Sequence, residues 1–206
     1  MTGNAEILVV YYSRNGTTAQ LARQVCRGVE SVAGAAARLR SVPPVSAESE
    51  RPVAAVPDQG APWATLDDLA ACDGLILGSP VRFGNMAAPL KYFLDQTSGL
   101  WLRGGLVDRP AAVFTSSQTM HGGQESTLLS MMTPLLHHGM VLAGLPFTQP
   151  ELPATRSGGT PYGASHVTSA STDGQLTAEE SQLARALGRR VATLALALKA
   201  TRREQA

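Results

Sequence analysis

Ile7-Leu8-Val9-Val10-Tyr11-Tyr12 runs straight into Ser13-Arg14-Asn15-Gly16-Thr17-Thr18, and that junction decides the fold. The first six residues are apolar and β-favouring without alternation, the pattern of a strand covered on both faces of a parallel sheet. After the polar loop, the stretch from Ala19 to Val32 carries Leu21, Ala22, Val25, Val29 and Val32 at helical spacing. Strand, tight glycine loop and helix together open a β-α-β unit.

The same alternation continues outward from this unit. Ala35 to Val42 reads as a second strand, and the Pro-, Ala-, Ser- and Glu-rich residues 43–63 read as a long surface excursion. Leu66 to Ala71 reads as a short helix capped by Thr65, and Gly74 to Pro80 as a wholly apolar strand. A helix follows from Pro89 to about Thr97, then a strand over Ala111–Thr115. Glu125 to His138 is helical, kinked at Pro134 and ended by Gly139. Met140 to Leu145 is a fifth strand, 149–174 a Gly/Pro/Ser/Thr-rich loop, and Thr177 to about Ala200 a final helix with Thr177 and Glu180 spaced as a capping box. The sum is one domain over 1–206 of class α/β: a doubly wound, five-stranded parallel sheet with helices on both faces.

Composition narrows the function. Only 16% of the 206 residues are charged, and 17 Lys+Arg against 16 Asp+Glu leave a net charge of +1. Hydrophobic residues reach 44%, which excludes a disordered chain. No stripe of Lys and Arg marks a nucleic-acid binder. Cys26 and Cys72 stand far apart without a CxxC, so no disulfide framework or metal site is expected, only two buried thiols in a reducing compartment. No apolar run approaches the ~18 residues of a membrane span, and no signal peptide is legible, so the expected location is the cytoplasm.

In a doubly wound sheet, ligands bind beyond the carboxyl ends of the strands. Three loops there are unusual. Ser13 to Thr18 offers hydroxyls and the backbone N–H groups of a helix start, which suit a phosphate, with Gly16 allowing close approach. It is neither GxGxxG nor a Walker A loop. An ordinary N-cap turn with spare hydroxyls is the other reading. Ser79 to Met86 displays Phe83, which packs either on a neighbouring loop or on a planar ligand ring. Ser116 to Glu125 is polar and glycine-rich; its backbone donors line the edge of a ring, or else it is a hinge. Trp101 is core or a stacking wall. His137 and His138 are adjacent, so they cannot serve one metal together.

Taken together, Ser79-Pro-Val-Arg-Phe-Gly-Asn-Met86, Phe93-Leu-Asp-Gln-Thr97, Leu100-Trp101, Phe114-Thr-Ser116, His121-Gly-Gly-Gln-Glu125, His137-His-Gly-Met140 and Gly158-Gly-Thr-Pro-Tyr-Gly-Ala164 resemble the WrbA family of flavodoxin-like NAD(P)H:quinone oxidoreductases. The resemblance spans Ile7 to about Leu198. It implies bound FMN, NADH or NADPH as electron donor, a small-molecule quinone as acceptor, ping-pong two-electron reduction, and a homotetramer with no nucleic-acid partner. By resemblance the FMN phosphate falls on Ser13, Arg14, Asn15, Gly16, Thr17 and Thr18. The ring falls on Val81, Arg82, Phe83 and Gly84, then on Ser116, Ser117, Gln118, Thr119, Met120, His121 and Gly122. His137 matches the family's flavin-contacting histidine and is the catalytic candidate, while Trp101 and Asn15 match positions that line the substrate site. Family members often carry Tyr where Asn15 stands, Thr where Val81 stands and Gly where Gln118 stands, so Asn15 cannot stack and Val81 retains only its backbone N–H as a donor. A flavodoxin-like one-electron carrier is the alternative, disfavoured by the lack of a charged docking face.

Overall fold

The computed structural model describes residues 4–45, 57, 60–170 and 174–204. In chain order the elements are β1 (Ala5–Tyr11), α1 (Thr17–Glu30), β2 (Ala35–Ser41), α2 (Leu66–Ala71), β3 (Gly74–Pro80), α3 (Ala88–Asp95), α4 (Ser98–Leu102) and β4 (Pro110–Ser117). There follow α5 (Gln124–His137), β5 (Val141–Leu142), α6 (Glu151–Ala154), β6 (Ala164–Val167) and α7 (Ala178–Glu204). The strands lie in the order β2-β1-β3-β4-β5, all parallel, with β6 also paired to β4.

Two-sided burial explains the unbroken apolar runs. Ile7, Val9 and Tyr11 of β1 belong to one core, with Ile76, Phe114 and the inner faces of α1 and α7. Leu8 and Val10 belong to the other, with Leu75, Leu77, Val113 and the inner faces of α3 and α5. Successive side chains point to opposite faces, so the middle of each central strand is apolar at consecutive positions, as in Ile7–Val10, Leu75–Leu77 and Ala111–Phe114. The edge strand β2 is covered less, and Arg38 and Arg40 reach from it to Asp68, with Arg38 also meeting Glu6. Both cysteines are free and buried, as composition predicts, and burial pushes the thiol of Cys26 up to about 12 and that of Cys72 up to about 11.

The sheet departs from the sequence reading at its fifth position. Instead of one strand over Met140–Leu145, two short strands share the place: β5 pairs with Pro110 and Ala111, and β6 pairs with Phe114 to Ser117. The chain leaves the sheet near Gly144, where a Cβ would sit 2.2 Å from the carbonyl oxygen of Pro161, and Leu145 N–H donates to that same oxygen at 2.9 Å. The returning segment therefore occupies the space a longer β5 would need. The stretch 149–174, expected as loop, contains α6, β6 and a 3-10 turn over Thr168–Ala170. Most of the excursion expected over 43–63 lies outside the described residues. Both expected caps form. Asp68 N–H donates to Thr65 Oγ1 while Thr65 N–H donates back to Asp68, and Thr177 and Glu180 repeat the exchange at α7.

The α1–α7 pair closes one face of the sheet by backbone approach. A Cβ at Gly28 would lie 2.0 Å from the carbonyl oxygen of Arg185, and one at Gly188 would lie 2.1 Å from that of Val25. Each glycine thus admits the other helix's main chain. Gly28→Ala and Gly188→Ala should each cost about 1–3 kcal/mol through overpacking, read as a lower urea midpoint at unchanged m-value. An unchanged midpoint would show that the helices separate without cost.

Candidate functional site

The carboxyl ends of β1, β3 and β4 open at one edge, and the strand order reverses between β1 and β3. This is the switch point where such sheets bind ligands. The loop after β1 turns at Gly16, φ 90°, and nothing lies within 4 Å of the place a Cβ would take there. Ser13 Oγ holds the turn, accepting from Gly16 N–H at 3.1 Å and from Ala19 N–H at 3.4 Å. Gly16 is the N-cap residue of α1 and has no side chain to cap it, so the helix presents its first amides toward the loop cluster.

Hydroxyls stand directly behind. Thr18 Oγ1 and Ser116 Oγ lie 2.8 Å apart, and Thr17 Oγ1 donates to Ser116 Oγ at 3.3 Å. They back a small cavity of about 180 Å³ that draws on all three loops: Arg14, Asn15, Thr17 and Thr18 from the first, Val81 and Arg82 from the second, Ser116, Ser117 and Gln118 from the third. Val81 N–H is spent on the carbonyl of Ser116 at 2.8 Å, so the one donor this residue retains ties the second loop to β4 instead of facing the cavity.

Other expected residues sit elsewhere. Gly84 packs under the start of α5, where a Cβ on Gly123 would lie 2.9 Å from Gly84 Cα. Phe83 is fully exposed at φ 53° and lines a second cavity, which shares Arg14 and Arg82 with the small one. The third loop turns back on itself: the carbonyl of Thr119 accepts from Ser117 Oγ, Gln124 Nε2 and Gly122 N–H. Met120 and His121 consequently line a separate cavity of about 510 Å³ with Ser126, Ser157 and Thr160. Thr168, just after β6, also lines the small cavity, and Ser169 N–H donates to Gln118 O at 3.1 Å. Sequence reasoning missed this contribution because β6 carries no legible period.

Trp101 and His137 come together, but not at these loops. Trp101 Nε1 donates to the carbonyl of His137 at 2.8 Å, and both side chains are exposed. They sit at the end of α5, whereas Gln124 at its start is bonded to Met120 and Thr119 of the third loop. Fourteen helical residues separate the two ends, about 20 Å. His138, in contrast, is buried with Nε2 against Thr97 Oγ1 at 2.8 Å. Thr97 Oγ1 already donates to Leu94 O, so Nε2 carries the proton, and burial holds this histidine below its ordinary pKa.

A family profile described as NADPH-dependent FMN reductase matches residues 6–147. The chain belongs to that family. It is 44% identical over 200 residues to the NAD(P)H dehydrogenase (quinone) of Geotalea daltonii, covering 94% of this chain and 98% of the relative. It is 46% identical over 202 residues to the protein of the same name from Geobacter sulfurreducens, covering 93% and 98%. In structure it is similar to a WrbA-like flavodoxin from Agrobacterium tumefaciens, TM-score 0.65 at 22% identity, over 93% of this chain and 98% of that one. An archaeal flavodoxin follows at TM-score 0.61 and 18% identity, over 92% and 98%. The flavodoxin-like fold expected from the sequence is therefore the fold observed. Among the described residues no helix is long and apolar enough to cross a membrane, and no cluster of His, Cys, Asp and Glu could hold a metal ion.

Beside the site, one buried carboxyl organises β6. Glu180 accepts from His166 Nδ1–H at 2.7 Å, from Gly158 N–H at 2.9 Å and from Val167 N–H at 3.0 Å, all out of solvent. Burial opposes its ionisation, but the His166 bond and the Thr177 and Val167 amides outweigh burial and hold its pKa below the usual carboxylate value. Its stabilising effect is therefore full above the unfolded-state pKa, ~4.3, and is lost as pH falls through the lower folded value. Glu180→Gln should cost about 3 kcal/mol near neutrality, with the gap from wild type closing in acid. Thermal unfolding of both proteins across pH checks this; a gap that widens in acid would contradict it.

Proposed function

We propose that this protein is an FMN-dependent NAD(P)H:quinone oxidoreductase that reduces quinones to hydroquinones by two electrons in a ping-pong cycle. The single observation that carries the reading is the start of α1, left without a cap by Gly16, beside the Thr17, Thr18 and Ser116 hydroxyls at the switch point. That cradle fits the phosphate of FMN: an open approach at Gly16, helix amides and hydroxyl donors, with Arg14 and Arg82 as the cations at its mouth. The names of the two bacterial relatives support the donor and acceptor classes. Bound FMN would supply the electron exchange itself. The protein's own part is to fix the cofactor by its phosphate, to hold the second and third loops together through the Val81–Ser116 bond, and to leave one face open for donor and acceptor in turn.

Trp101 and His137 enter this reading through a second copy. They are about a helix length from their own chain's loops, yet Trp101 is half exposed beside Leu102 and Leu136, both more exposed still. An exposed apolar cluster of this kind marks an interface. In a homotetramer the Trp101–His137 pair of one protomer would wall the substrate site of another.

Thr17→Glu, which puts a carboxylate where the phosphate belongs, should yield colourless protein that regains no FMN when it is added, while wild type purifies yellow with parallel-line kinetics for donor and quinone. A fully loaded Thr17→Glu protein would refute the phosphate assignment. Trp101→Ala should retain FMN and raise the quinone Michaelis constant about tenfold, the ~1.4 kcal/mol expected of one lost aromatic face. Lost FMN with unchanged kinetics would instead make Trp101 a purely structural residue.

A further inference from the structure

β6 carries a buried polar atom that the reading above leaves without a role. His166 is wholly buried. Its Nδ1 lies 2.7 Å from Glu180 Oε2, but its Nε2 has no hydrogen-bond partner among the described residues. Orphaned polar atoms are rare inside proteins, and each has a cause. Glu180 also accepts from the Thr177, Gly158 and Val167 N–H groups. It acts throughout as an acceptor, so Nδ1 carries a proton and donates it. A second proton on Nε2 would be a buried donor with nothing to receive it. Nε2 is therefore left as a bare lone pair.

The place of His166 in the sheet puts it beside the phosphate cradle. It is the register partner of Ser116. Both side chains stand on the face covered by α1 and α7, since Ala164 and Phe114, two residues earlier on each strand, pack in that core. Neighbouring strands lie ~4.8 Å apart. Ser116 Oγ closes the back of the cradle, accepting from Thr17 Oγ1 and sharing a hydrogen bond with Thr18 Oγ1. β6 packs against β4, α1 and α7. β4 has no titratable side chain. α1 buries only Cys26, two turns past Thr18 and held as a thiol by burial. On α7 the buried ionisable group is Glu180 itself. The segment leading into β6 keeps Arg156 and Tyr162 exposed, and the cations of the cradle are Arg14 and Arg82.

A lone pair and a dianion are poor neighbours. A phosphate ester offers only acceptors near neutrality, so it draws the hydroxyl protons of the cradle toward itself. Turning the Thr17 O–H away from Ser116 empties an acceptor position on Ser116 Oγ, and an Nε2–H on His166 can fill it. A second proton also makes His166 a cation set between Glu180 and the phosphate. We infer that His166 is a positioning residue that takes up a proton at Nε2 when the FMN phosphate enters the cradle, so that cofactor binding and protonation of His166 are one coupled event. The proton comes from solvent, and no hydroxyl is ionised. This role rests on the proposed phosphate assignment and adds to it a buried group that compensates the phosphate charge.

Calorimetric titration of the flavin-free, full-length protein with FMN at about pH 7.5, in two phosphate-free buffers of unlike ionisation enthalpy, counts the protons. At that pH the phosphate of free FMN has already lost its second proton, pKa ~6. Wild type should take up close to one proton per FMN, and its affinity should fall about tenfold per pH unit wherever that uptake persists. His166→Gln should bind FMN more weakly, with no uptake and a flat pH profile. Nitrogen-15 NMR of wild type reads the ring itself and does not need that variant to fold: the Nε2 signal of His166 should move from the bare to the protonated range when FMN is added. Binding without proton uptake, uptake retained in His166→Gln, or an Nε2 signal that stays in place would each overturn the role of His166 and leave the phosphate assignment standing. A wild-type protein that binds no FMN would bring down the phosphate assignment as well.

Discussion

The first turn of α1 carries amide groups that no side chain of its N-cap residue can satisfy, because that residue is Gly16. A helix start left in this state keeps partial positive charge and free donors. β1 and its neighbours fix where those donors point. Since β1, β3 and β4 are buried on both faces, polar groups gather at and beyond the carboxyl ends of the strands, and parallel pairing puts like ends at one edge. The hydroxyls of Thr17, Thr18 and Ser116, the Val81–Ser116 tie and the two arginines all follow from that placement. The low charge of the chain is consistent with it: in the proposed reading a phosphate dianion would be received here mostly by dipoles, with Arg14 and Arg82 as the cations at hand.

The helix α5 keeps the expected site residues in two groups. One end is the loop cluster at the start of α5, and the other is the Trp101–His137 pair at its finish. Resemblance of motifs assigns both to one active centre, but a rigid helix keeps them apart within a single chain. In the proposed reading a second copy would bring them together, and the exposed side chains around Trp101 offer an apolar surface for it.

Strands buried on two faces announce themselves in sequence, and β1, β3 and β4 fall where the apolar runs predict. The same rule overreads β5, because an apolar run does not say whether Gly144 and Leu145 stay in the sheet or turn beneath Pro161. β6 was illegible for the opposite reason. Its four residues include Ser165 and His166, and what secures it is a carboxyl from α7, far along the chain. In the site, the residues nearest the strand ends were readable because the strand-end rule is geometric. The later part of the third loop was not, since its turn depends on Gln124 reaching back to two carbonyls. Nor could a sequence place Phe83 outside the phosphate pocket, since that follows from a backbone conformation.

Sequential mixing under anaerobic conditions separates the two halves of the proposed cycle. Protein loaded with FMN is mixed first with NADPH and then, once that donor is spent, with a benzoquinone, while the flavin absorbance is followed. Two-electron ping-pong reduction gives a full loss of the yellow colour, then its full return in a single phase, with one quinone consumed for each nicotinamide oxidised. Colour that stays bleached after quinone is added, or that returns in two separate one-electron phases, would contradict it.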